Sequence, residues 1–190
     1  MMIKRSVLTS LLVAVATPAF AHVGDHAMSG FFSGFLHPFG GIDHTLAMLG
    51  VGLFAAALGA QALWALPISF IGMMLIGGGI GLLDLDIPAM ESGIAASVFI
   101  LGAIVALGWR WSASAAVALV GVFAVFHGYA HGAEIPAGAD AVVYGLGFSL
   151  ASMTLHIAGS AIGLLALRSR VIVRLAGASI AATGFILVVS

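Results

Sequence analysis

Six apolar stretches, at about 40–60, 63–83, 92–109, 113–131, 141–167 and 171–189, leave this chain little choice of fold. Each is close to the roughly 20 residues that a helix needs to cross a bilayer. Apolar residues run through them continuously instead of alternating, which argues for helices and against a barrel. A helix also satisfies its own backbone groups, as hydrocarbon requires. Composition agrees. Of the 190 residues, 62% are hydrophobic and 7% charged, against about 25% charged in a soluble domain. Such a chain could not cover a water-facing surface. The absence of Cys excludes disulfides and thiolate chemistry. The 26 glycines suit helices that approach closely, and Gly77/Gly81 and Gly159/Gly163 are small-xxx-small pairs of that kind.

Residues 1–21 read as a cleaved secretory signal peptide. Lys4 and Arg5 are its basic start, Val7 to Ala16 its short apolar core, and Ala19-Phe20-Ala21 its cleavage site. Residues 22–190 are then an all-α six-helix transmembrane bundle with both mature termini periplasmic. That topology puts Arg110, Arg168, Arg170 and Arg174 on the cytoplasmic side, as the positive-inside rule requires. Asp84, Asp86, Glu91, Glu134 and Asp140 fall on the opposite side. Trp64, Trp109 and Trp111 stand near inner boundaries, and Tyr129 and Tyr144 near outer ones, where interface aromatics belong. The pattern describes a multi-pass protein of the bacterial cytoplasmic (inner) membrane.

Against this background the ionisable residues are conspicuous. The stretch His37-Pro-Phe-Gly-Gly-Ile-Asp43-His44 opens the first segment. A charge in hydrocarbon costs roughly 2.5–3.5 kcal/mol even on lenient scales, so Asp43 needs compensation, and a bound cation is one candidate for it. His44 and Met48 share a helical face, and His37 joins it if the helix begins that early, with Pro38 in its first turn. Alternatively, Gly40-Gly41 makes an unwound break lining a polar pocket, as in transporters. A second cluster, Phe126-His127-Gly-Tyr-Ala-His131-Gly-Ala-Glu134, ends the fourth segment. His127 and His131 have the i, i+4 spacing by which one helical face offers two imidazoles to one metal. Glu134 extends that face. His156 lies mid-membrane on a stripe with Ser149, Ser152 and Met153, where a buried His marks an ion or proton path. Glu91 opens the third segment nearest the bundle. His22, at the new N-terminus, pairs an α-amine with an imidazole beside Asp25 and His26 and so forms a chelator. Imidazole and carboxylate without thiolate suit nickel, cobalt or zinc, not copper(I), magnesium or calcium.

The motifs at 37–44 and 126–134, with the Gly147–Gly159 stretch of the fifth segment, resemble those of the HupE/UreJ family of nickel/cobalt permease-like membrane proteins. The resemblance covers the whole chain. It implies uptake of nickel, sometimes cobalt, for urease or hydrogenase. On this sequence the metal-handling positions it implies are His37, Asp43, His44, His127, His131 and Glu134. The larger nickel/cobalt permease family separates its first His from Asp-His by four residues, whereas five separate His37 from Asp43 here. The expected reading is therefore a permease and not an enzyme. Its partners are a divalent ion and the bilayer, with no nucleic acid and no prosthetic group, and a homo-oligomer stays open. There is no phosphate-binding GxxxxGKS loop, so ATP would not drive it. The competing reading is an intramembrane His-ligated metalloenzyme, of hydrolase or oxidase type, holding a catalytic metal with an open position.

Overall fold

The structure is a computed structural model describing residues 30–189 apart from 84, 86, 110, 167 and 168. The expected signal peptide, His22, Asp25 and His26 lie outside the described residues, as do Asp84, Asp86, Arg110 and Arg168. The described chain is all-helical: α1 (Gly30–Gly40), α2 (Ile42–Leu58), α3 (Ala62–Gly81), α4 (Met90–Leu107), α5 (Ala113–Ala133), α6 (Ala141–Ala166) and α7 (Arg170–Val189). Helices α3 to α7 are each long and apolar enough to cross a membrane. The first expected segment differs. Its helix α2 has 17 residues, and α1 precedes it at an angle of 83°, so that only the bent pair together has the length of a span.

Residue chemistry sets these boundaries. Ser112 caps α5, its Oγ accepting from the Ala115 N–H at 3.2 Å. Asp140 caps α6, accepting from the N–H groups of Val142 and Val143 at 2.8 and 3.0 Å. Gly108 closes α4 in the left-handed conformation, φ 66°.

The most extensive pairings are α3 with α5, α4 with α7, and α2 with α6, and α1 lies along α6. Lipid supplies no hydrophobic drive between helices, so close packing has to hold them. The expected glycine pairs do this. A Cβ on Gly77 would stand 2.3 Å from the Val125 carbonyl oxygen, and one on Gly159 would stand 2.3 Å from that of Leu49. The α3–α5 seam also uses two glycines of the second His motif. A Cβ on Gly128 would lie 1.9 Å from the Met74 carbonyl oxygen, and one on Gly132 would lie 2.2 Å from that of Gly78. Each imidazole of that motif is thus followed by the residue that lets α3 lie against α5. Phe54, Phe70, Met48, Leu66 and Leu101 fill the interior, while Leu165, Val142 and Trp64 point outward.

Two expected interface aromatics are not at the surface. Tyr144 and Tyr129 are buried. The Tyr129 hydroxyl donates to the Leu85 carbonyl and accepts from the Ile87 N–H at 3.4 Å.

Candidate metal centre

The break at Gly41 creates the site. Gly41 is extended (φ −108°, ψ 127°), and the turn is held by the Thr45 hydroxyl, which donates to the Pro38 carbonyl at 2.8 Å. A Cβ on Gly41 would stand 2.6 Å from the Asp43 carboxylate and 3.0 Å from the His44 ring. Glycine is therefore what lets these two side chains fold back over the break. Pro38 sits near the end of α1, not in a first turn. His37 and His44 consequently lie on separate helices and meet across the bend, with ring centroids 6.5 Å apart.

Four imidazoles converge here from three helices. The His44 ring is 4.3 Å from that of His131 and 5.1 Å from that of His127, and His37 is 4.7 Å from His131. Their donor atoms form two overlapping groups. His44, His127 and His131 offer nitrogens all within 4.8 Å of one another, and so do the donor atoms of His37, His131 and Glu134. The first group is mostly buried and the second reaches the surface, where His37 Nε2 lies 3.5 Å from a Glu134 oxygen. His131 belongs to both. A cleft of about 470 Å³ lined by Ser33, His37, Gly41, Asp43, His44 and Glu134 opens onto them.

Asp43 is not a donor in either group. Its Oδ1 accepts from His44 Nδ1 at 2.7 Å and from the His44 backbone N–H at 2.8 Å. A carboxylate on Nδ1–H fixes the tautomer, turns the Nε2 lone pair toward a metal and raises its basicity. That Nε2 is buried without a hydrogen-bond partner, as are both ring nitrogens of His131. Unpartnered buried polar atoms cost about 1–3 kcal/mol each, and a cation would satisfy them. Asp43→Ala is therefore expected to weaken nickel binding roughly 10–100-fold while leaving the fold intact. Titration of the purified variant with nickel checks this.

The other expected residues are placed as follows. His156 is wholly buried in α6, and neither of its ring nitrogens has a partner. Glu91 is exposed in the first turn of α4 and belongs to neither donor group. Sequence reasoning missed Ser97, whose hydroxyl meets His127. It also missed Phe148, whose ring lies 4.0 Å from that of His131. Tyr144, read as an interface anchor, stands 6.0 Å from His37 with its hydroxyl unpartnered. Phe148 lies within the Gly147–Gly159 stretch without being singled out there, and Ser97 and Tyr144 carry no local metal motif, because helix packing brings all three in.

The fold and the donors define a multi-pass helical membrane protein with convergent imidazoles that could hold a metal ion at one end of its bundle. The family model for "HupE / UreJ protein" matches residues 10–187, and the chain belongs to that family. The protein named "Protein HupE" of Rhizobium leguminosarum bv. viciae is 41% identical over 192 residues, covering 98% of this chain and 99% of that one. No solved structure matches the chain significantly. The family is one of inner-membrane metal transporters, and its members are transport or accessory proteins, not enzymes. The metalloenzyme reading thus has no support.

Proposed function

We propose that this protein takes up nickel, with cobalt as a second substrate, across the cytoplasmic membrane to supply metalloenzymes such as urease or hydrogenase. One observation carries the reading: an exposed and a buried donor group share His131. An ion caught by His37 and Glu134 can exchange these for His44 and His127 without leaving His131. Each exchange replaces one donor by another, so the ion is never stripped bare in a medium where a naked charge is prohibitive. Conduction requires such stepwise, exchangeable ligation, because a site that binds too tightly does not release. His22, at the start of the mature chain, would gather ions before this step, and Glu91 would add to the acidic outer face.

Depth supports a route inward. His131 and His127 stand two and six residues from the end of α5, about 3 and 9 Å at 1.5 Å per residue. His156 stands 15 residues into α6 from the same end of the bundle, about 22 Å. It is the next imidazole on the way. His156→Ala is expected to lower uptake roughly tenfold, the effect of losing about 1.4 kcal/mol at the barrier, with nickel binding at the outer groups retained. The membrane potential would drive entry by roughly 2.3 kcal/mol per charge per 100 mV, given mature termini outside and the arginines inside.

The test is metal accumulation at trace concentration in a bacterial host without its own uptake systems. Nickel accumulation that depends on this protein, with cobalt as the stronger competitor and magnesium without effect, is the expected result. No accumulation by correctly inserted protein would defeat the reading.

A further inference from the structure

Ser97 is a polar residue in the middle of an apolar helix, and it is wholly buried. Its hydroxyl has two neighbours. The Ile94 carbonyl oxygen lies at 2.6 Å and His127 Nε2 at 2.8 Å. A serine hydroxyl has one proton to give and can accept as well. The shorter distance, to a carbonyl that can only accept, takes the proton. Ser97 Oγ is then an acceptor toward His127, and Nε2 must carry the hydrogen. The lone pair of His127 consequently sits on Nδ1, which is buried with no hydrogen-bond partner. The opposite arrangement, with Ser97 donating to Nε2, would put an N–H on the buried Nδ1, where it finds no acceptor and would repel a cation held by the donor group.

We propose that Ser97 is a positioning residue of the metal centre: it locks His127 as the Nε2–H tautomer, so that His127 binds the metal through Nδ1. The proposal rests on the metal-uptake reading above and adds a residue to its machinery. It brings α4 into the site, although α4 contributes no donor. Ser97 does for His127 what Asp43 does for His44, with the nitrogens reversed. Asp43 holds Nδ1–H and frees Nε2, whereas Ser97 holds Nε2–H and frees Nδ1. A neutral hydroxyl suits the buried position, since a second carboxylate there would need its own compensation, whereas Asp43 stands at the open cleft. Both supports act on imidazoles of the same buried donor group, which is the deeper of the two.

The experiment uses the purified full-length protein, nickel or cobalt ions alone as the probe, and four forms: wild type, Ser97→Ala, Ser97→Thr and His127→Ala. Nitrogen NMR of the metal-free wild type is expected to show His127 protonated on Nε2. Ser97→Ala is expected to lose that single tautomer and to bind nickel roughly 10–100-fold more weakly, as loss of a support behind a metal ligand does. It should also alter the visible absorption of bound cobalt. Ser97→Thr, which keeps the hydroxyl, is expected to restore both. A wild-type His127 protonated on Nδ1, or undiminished nickel affinity in Ser97→Ala beside a clear loss in His127→Ala, would overturn the proposal alone. Undiminished affinity in His127→Ala would overturn the buried metal centre and the proposal with it. The tautomer is read without metal and without transport, so it decides the point even if Ser97→Thr fails to pack.

Discussion

His131→Ala is expected to reduce nickel uptake to background, a fall of at least roughly 100-fold. Loss of a supporting residue behind a ligand already costs 10–100-fold, and His131 is a donor in its own right, in both groups. Removing it leaves His37 with Glu134 and His44 with His127, two incomplete pairs with no common member. An ion arriving at the first could reach the second only by giving up all its protein ligands. The fold should tolerate the change. Neither ring nitrogen of His131 has a hydrogen-bond partner, so the truncation removes two unsatisfied polar atoms, each worth about 1–3 kcal/mol, along with its packing on Phe148. Uptake should therefore vanish while yield and thermal unfolding of the inserted protein stay near wild type. Comparable uptake in the variant would remove the shared ligand from the account.

The second large effect concerns packing. Gly128→Val should destabilise the protein by about 3 kcal/mol or more, at or beyond the upper end for overpacking, and abolish uptake. The added Cβ would lie 1.9 Å from the Met74 carbonyl oxygen and 2.8 Å from the Met74 Cα. The obstacle is backbone, not the end of a flexible side chain, so α3 and α5 would have to separate. His127 and His131 ride on α5 and would move out of reach of His44. Gly72→Ala on the same α3 is the control. Nothing lies within 4 Å of its would-be Cβ, and alanine favours the helix by about 1 kcal/mol over glycine. Unfolding of the detergent-solubilised variants, followed by intrinsic fluorescence, should separate them clearly. Equal stability of the two would contradict the close seam.

The sequence and the structure agree most where a physical constraint acts along one helix. Hydrocarbon demands long apolar runs, and the expected segments at 63–83 and 113–131 correspond to Ala62–Gly81 and Ala113–Ala133. The i, i+4 spacing of His127 and His131 needs nothing but α5 to place both on one face. The region before α2 was harder to read. Its residues Gly30–Gly40 are too few to span, and Pro38 near their end reads equally well as the start of a new helix. The extended Gly41 and the 83° bend belong to the alternative that the Gly40-Gly41 pair left open. Asp43 shows another limit. Its charge in an apolar setting marks it as a candidate metal residue, but its hydrogen bond to the His44 ring appears only once the two side chains are folded over the Gly41 break. Ser97 could not have been found at all, since it lies 30 residues from His127 and is an ordinary small residue of an apolar helix until α4 and α5 are packed.

The most direct test of the account is nickel entry into vesicles that contain only this protein, followed with a trapped metal-sensitive dye under an inside-negative potential. The account predicts entry that depends on the protein, is competed by cobalt, and is lost when His44, His127 and His131 are replaced together by alanine. Nickel entry at the wild-type rate through the triple variant would contradict it, because the ion would then be crossing without the donors on which the account depends.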